Sequence, residues 1–339
     1  MKNARSVDLA AGWQISATAC SDHARWAADG GRLFASPAWA GVLAMLPAEP
    51  LFAWHAGRGL GVVVPVFRRL GLRIGFLGLP AAGGEFDVMD GRDLAASMAG
   101  IASAARLNFV RTTQYMQTHF DRAASGARPE VWIDDLPNWQ VMQRKRLRKD
   151  LSFARRTATA IEIVDADIDA YACHRLYAAT VARHHGSERY RPAYFAALNS
   201  LARNSTRIGF FAAREGAVVR GFAVVALHGD LASYLHGAVD DDGRRQGISD
   251  LLLEKLIAYG RAGGARRFTF LSSPWTQAGL LHFKQKWGDT VGLSTTFDRG
   301  YGAFGYCAML VSRWQSRHDR RMAERQDGQR PINGGRQAN

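Results

Sequence analysis

The stretch "VDDDGRRQGISDLLLEKL", Val239 to Leu256, sets three aspartates, two arginines and two glycines directly before an apolar pattern of helical period. Ile248, Leu251, Leu252, Leu256 and Tyr259 recur on one face, which predicts a helix opening near Gly247. The first N–H groups of a helix lack intrahelical partners, its dipole favours negative charge, and glycine allows a ligand to approach closely. With Arg244 and Arg245 alongside, the junction reads as an anion site that a pyrophosphate would fit.

The surrounding sequence places this junction in a mixed α/β unit. Upstream lie two helical patterns, "DIDAYACHRLYAATVARH" and "PAYFAALNSLAR", and three strand patterns, "RIGFFAAREG", "VVRGFAVVALHG" and "LASYLHGAVD". Short turns with Gly216 and Gly229 predict an antiparallel meander. Downstream come a strand, "RRFTFLSS", a helix, "TQAGLLHFKQKWG", and a late strand, "TVGLSTTFD". The second half therefore reads ααβββαβαβ.

The first half is also mixed α/β, with strands at "GLGVVVPVF" and "RIGFLGL" and helices at "SPAWAGVLAML" and "GRDLAASMAGIASAAR". Beyond the second strand, "LGLPAAGGEFD" is a Pro/Gly-rich loop, a place where a site can sit. Gly71, Gly75 and Gly78 do not make GxGxxG, which argues against a dinucleotide fold. A length of 339 residues predicts two domains. The expected division is an N-terminal domain (1–136), a basic connecting helix (137–157), a C-terminal domain (158–305) and a basic, partly disordered tail (306–339).

The connecting helix is expected around "DDLPNWQVMQRKRLRKDLSFARR", capped by Asp135 with Pro137 in its first turn. Trp139, Leu147, Leu151 and Ala154 supply its apolar row; Arg144, Arg148 and Arg155 form a basic row, with Lys145, Lys149 and Arg156 beside it. The chain carries a formal charge of +14, of which +6 lies in Arg144–Arg156 and +4 in Arg313–Asn339. Such a stripe is either a solvated face or a contact for phosphate, on nucleic acid or an anionic membrane.

Cys20, Cys173 and Cys307 are far apart and without metal-ligand spacing, which argues against a metal site or a disulfide framework and predicts a reducing cytoplasm. The N-terminal residues lack the apolar core of a signal peptide. No apolar run reaches spanning length; the nearest, "YGAFGYCAMLV", is followed by a basic segment, a combination that either packs on the domain and frays, the commoner case, or docks on the inner face of an anionic membrane.

The pattern Arg244-x-x-Gly247-x-Ser249 resembles the pyrophosphate loop of GNAT-type N-acyltransferases, with Ser249 in place of the usual Gly or Ala. Together with "SPAWAGVL", "GFLGLPAAGG", "WQVMQRKRLRKDLSFARRTATAIEIV" and "GLLHFKQKWG", it resembles the FemAB-like branch of that superfamily over nearly the whole chain up to about residue 305. The resemblance implies an α/β (α+β) fold of two tandem GNAT-like domains, each a mixed, largely antiparallel sheet flanked by helices. It implies an acyltransferase acting on a small-molecule, lipid or saccharide amine, with acyl-CoA as donor. Aminoacyl-tRNA, held through Arg144–Arg156, is the alternative, as in the peptidoglycan-bridge members. A non-catalytic binder is a third reading.

On the resemblance, Arg244, Arg245, Gln246, Gly247, Ile248 and Ser249 would hold the donor. Phe283 and Lys284 match a Phe-Lys pair that holds the acyl donor and stabilises charge in the bridge-forming members. Amide formation also needs a base for the amine and a donor for the leaving thiolate. Tyr234 and His236, two apart on a strand that ends at the junction, are expected to share a face and supply these roles. Arg175, His184, His185 and Tyr190 flank the region where such folds build the acceptor pocket, with surface or packing roles the expectation. GNAT-like chemistry needs no acyl-enzyme, so Cys173 and Cys307 are expected in the core.

Overall fold

The computed structural model describes residues 11–78, 89–119, 121, 123–184 and 187–328. In chain order the first half is β1 (Trp13–Ser16), α1 (Ser21–Asp29), α2 (Pro37–Leu43), β2 (Ala48–His55), β3 (Leu60–Arg69), β4 (Leu72–Leu77), α3 (Gly91–Ala104), β5 (Phe109–Gln117) and β6 (Gly126–Ile133). Helix α4 (Lys145–Thr157) joins it to β7 (Ile161–Val164), α5 (Ala170–Arg183), α6 (Pro192–Asn204), β8 (Ile208–Glu215), β9 (Val218–His228) and β10 (Leu231–Val239). There follow α7 (Asp241–Arg245), α8 (Ile248–Ala262), β11 (Arg267–Ser272), α9 (Ala278–Trp287), β12 (Thr290–Gly300) and α10 (Gly302–Gly328).

All twelve strands form one sheet, in the order β1-β2-β3-β4-β5-β12-β6-β11-β10-β9-β8-β7. Shifting every strand number by six reverses that order onto itself, so the two halves are structural repeats. Their last strands are exchanged: β12 pairs with β5 and β6 with β11. Among the described residues only β4·β5 and β10·β11 are parallel, one pair in each half. The chain thus has two topologically equivalent halves in tandem, built on a largely antiparallel sheet that runs unbroken through both.

Helices cover both faces. Strand β9 shows why: Phe222, Val224 and Ala226 join a core with α2, α5 and α6, whereas Ala223, Val225 and Leu227 join one with α4, α8 and α9. An apolar run without polar alternation is what a strand buried on both faces requires. Local chemistry starts the helices: Ser36 caps α2 ahead of Pro37, Asp90 caps α3, and Asp169 caps α5.

The connecting helix is shorter than its sequence predicts. It begins at Lys145; Leu136 and Trp139 are buried, and the Trp139 indole donates to Trp287 O at 3.1 Å, which holds the preceding segment in turns and a 3-10 segment, Val141–Gln143. Asp135 bonds Asn138 and caps no helix. Leu147, Leu151 and Ala154 are buried as expected. Cys173 is buried, but Cys307 lies exposed on α10, which corrects its expected core position; Cys20 caps α1. The loop at 79–88 and the last residues, 329–339, lie outside the described residues.

Candidate functional site

Strands β10 and β11 run parallel for three residue pairs, Leu231–Ser233 against Arg267–Thr269, and then part. The split opens a cleft of about 530 Å3 between Tyr234, Gly237, Ala238 and Val239 on one side and Trp275 to Phe283 on the other. Arg244, at the end of α7, and Ser249, in the first turn of α8, line its end. Leu252, Leu253, Leu280 and Phe283 make its wall largely apolar.

The junction itself is built as the sequence predicts. Asp240 caps α7 through Gly243 N at 2.7 Å, and Gly247 takes left-handed backbone, φ 76°, to start α8. A Cβ on Gly247 would lie 2.9 Å from Cβ of Ala154 in α4, so close helix packing is a second reason for glycine here. Ile248 is wholly buried, which leaves only its N–H for a ligand. Arg244 pairs with Asp241 and lines the cleft; Arg245 pairs with Asp242, is 73% exposed and lies outside the lining, as does Gln246.

A second cavity, of about 520 Å3, lies where the two halves meet and adjoins the first at Tyr234, Gly237, Trp275 and Leu280. Tyr190, Tyr194, His236 and Lys284 line it from the second half, and Arg111 and Tyr115 from the first. His236 Nε2 lies 2.9 Å from Tyr194 Oη, with the Tyr190 ring edge-on to the imidazole. Burial lowers His236 to about 4 and raises Tyr234 to about 12. At neutral pH the imidazole is uncharged and the phenol keeps its proton.

Tyr234 and His236 do not share a face. Tyr234 pairs with Val225 but His236 with Val224, because Leu235 is an extra residue, a bulge, in β10. Alternation therefore breaks between them: Tyr234 packs with the core under α8, and Leu235 with the core under α6. His236 sits among Tyr190, Tyr194 and Phe195. Both still reach the second cavity, since the sheet is split at that point.

Lys284 is 4% exposed and donates to Leu271 O at 2.9 Å and Ser272 O at 3.2 Å. Burial brings its ammonium down to about 7, with Glu130 pulling it back up. Glu130 is itself buried, and accepts from Met116 N at 2.8 Å and from the Thr269 hydroxyl. Leu271 and Met116, on the equivalent fifth strands of the two halves, both have left-handed backbone. The neighbouring Lys286 is structural, joining Asp150 of α4 to Asp250 of α8.

His184 lines both cavities and Tyr190 the second, while Arg175 is exposed outside them and His185 lies outside the described residues. Tyr194 and Glu130 were missed by sequence reasoning. The signal for Glu130 is a lone acid inside the strand pattern "RPEVWI"; Tyr194 carries none, since its partner is 42 residues away.

Residues 142–285 match the acetyltransferase (GNAT) domain family model. No curated protein matches the chain in sequence. Among solved structures the chain is similar to FemX, at 12% identity and TM-score 0.57, over 88% of this chain and 100% of that one. It is also similar to the C-terminal domain of a protein named as a lysylphosphatidylglycerol synthetase from Agrobacterium fabrum, at 17% identity and TM-score 0.53, over 86% and 95% of the two chains. L-PGS from Bacillus licheniformis is similar at 12% identity and TM-score 0.51, over 85% and 94%. The match marks residues 142–285 as a GNAT-type acetyltransferase domain. Around that domain, the paired halves share the fold of FemX over nearly the whole of both chains.

Proposed function

We propose that the protein transfers an acyl group from acyl-CoA to an amine carried on a lipid, a sugar or a cell-envelope precursor. The meeting of the two cavities at Tyr234 carries this reading. One cavity runs from the basic helix start at Arg244 and Ser249 along an apolar wall, which suits a pyrophosphate followed by a pantetheine and acyl arm. The other holds an uncharged imidazole and a buried lysine, which suits an amine.

In this arrangement the amine nitrogen attacks the thioester carbonyl, the new C–N bond forms and the C–S bond breaks. His236 takes the amine proton, oriented by Tyr194. The Tyr234 hydroxyl gives its proton to the departing thiolate and recovers one from solvent. Lys284, charged in part near neutrality, and the backbone N–H of Leu235 at the bulge stabilise the carbonyl oxygen. Phe283 packs on the acyl arm.

A second reading, aminoacyl-tRNA as donor, is favoured by α4. Arg144 and Arg155 are occupied by Asp289 and Glu254, but Lys145, Arg148, Lys149 and Arg156 are exposed with no ion-pair partner among the described residues. Calorimetry with acetyl-CoA and a long-chain acyl-CoA decides between donors. Saturable binding that is lost in Arg244→Glu supports acyl-CoA, and the preferred chain length directs the search for a lipid product. No binding to either overturns it and transfers the test to charged tRNA with Arg148→Glu/Lys149→Glu. Binding without product from any amine offered would mark a non-catalytic binder.

A further inference from the structure

Helix α10 spans 27 residues and packs on the sheet through one narrow side. Gly305 and Met309 are buried, and Ser312 donates to Asp298 at 2.6 Å, beside the paired Arg111. The opposite side is bare. Phe304, Cys307, Val311 and Trp314 recur at helical spacing on one stripe, with Tyr306 and Leu310 next to it. Phe304 is 77% exposed and Trp314 65%. From Gly302 to Ser312 the helix carries no charged residue.

We propose that this face of α10 docks on an anionic lipid bilayer. Three aromatic and two aliphatic side chains open to water on three consecutive turns form a patch that solvent alone does not stabilise. Aromatic rings are suited to the headgroup level of a bilayer, where an apolar body and a polar edge are both accommodated. The charge beside the patch and in the sequence that follows it has one predominant sign. Arg299 lies on the strand that leads into the helix, and exposed Arg106 stands two residues before Asn108, whose carbonyl abuts Gly305. From Arg313 to the C-terminus there are seven basic residues against three acidic. Apolar face plus basic flank is the chemistry of an interfacial helix, and each cation near an anionic surface adds attraction that salt screens.

Among the described residues no helix is long and apolar enough to cross a membrane, so attachment would be along the surface. The orientation has a consequence for the transferase reading, on which this last point rests. Ser316, on the packed side of α10, lines the cavity that holds His236 and Lys284. A bilayer under the outer face would bring lipid headgroups alongside that cavity.

The test is co-sedimentation with vesicles of phosphatidylcholine alone and of equimolar phosphatidylcholine and phosphatidylglycerol. The full chain is expected to bind the anionic vesicles, to release them at high salt, and to bind neutral vesicles weakly. Phe304→Ser/Trp314→Ser should reduce anionic binding by about tenfold or more, without lowering the unfolding temperature, since both side chains are exposed. Amide exchange in 302–316 should slow on anionic vesicles. Equal binding by the variant, or no preference for anionic lipid, would overturn the proposal. So would a dimer in solution that the same variant converts to a monomer, because the face would then be a contact between two copies. None of these readouts involves CoA, so failure here leaves the donor assignment untouched.

Discussion

The ammonium of Lys284 lies 2.9 Å from the carbonyl oxygen of Leu271, a residue held in left-handed backbone at φ 54°. Non-glycine residues in that conformation are strained by roughly 1–3 kcal/mol, and such strain gathers at functional sites. Here it sits on the wall of the cavity shared by the two halves.

Lys284 makes stability depend on pH in a defined direction. Its folded value is lowered from 10.5 to about 7, so between those values the unfolded chain holds a proton that the folded one does not. Stability therefore rises with pH across that window and is flat below it. Denaturant unfolding at a series of pH values should show the rise in the wild type and lose it in Lys284→Met. Glu130→Gln should widen the window downward, since that carboxylate holds the lysine up. Lys284→Ala should lower kcat by about 100-fold, the effect of losing one donor to a developing oxyanion.

His236 predicts the opposite limb. Burial lowers it to about 4, and His228, buried beneath Phe34, to about 3. Below pH 6.5 the unfolded chain takes up protons that the folded chain refuses, so stability falls as pH drops from 6.5 toward 4. The fall should be shallower in His236→Gln, which keeps a partner for Tyr194. That variant should lower kcat by about 100-fold, the low end for a lost general base. Tyr194→Phe should act on kcat more than on KM.

Gly247→Ala combines two penalties, a side chain at φ 76° and a Cβ 2.9 Å from that of Ala154. It should cost about 1–3 kcal/mol in thermal or denaturant unfolding. Donor binding should weaken with it, because the start of α8 must shift away from α4.

Arg244 and Arg245 separate position from charge. Arg244 lines the cleft, whereas Arg245 is turned out toward Asp242 and solvent. In calorimetry Arg244→Glu should weaken acyl-CoA about tenfold or more, the effect expected for reversing a direct charge contact, and Arg245→Glu only by long-range repulsion, about two- to threefold at moderate salt. Equal losses would place the pyrophosphate outside the cleft.

Strand and helix order in the second half was legible because each signal is local. The apolar run of β9, the aspartate caps and the glycine at 247 report on their own neighbourhoods, and the junction before α8 formed where its residues place it. The same locality explains the failures. Trp139 holds the chain against Trp287, 148 residues away, and so delays a helix that Pro137 would start. The bulge at Leu235 puts Tyr234 and His236 on different faces, and a bulge depends on pairing with β9, which period-two reasoning does not contain. Most of all, the exchange of β6 and β12 decides the site. The sequence by itself determined two mixed α/β halves and a helix start marked by Gly247 and flanked by arginines. Tertiary structure alone brought Glu130 and Arg111 of the first half to Lys284 and His236 of the second, because strand pairing joins segments regardless of their separation along the chain.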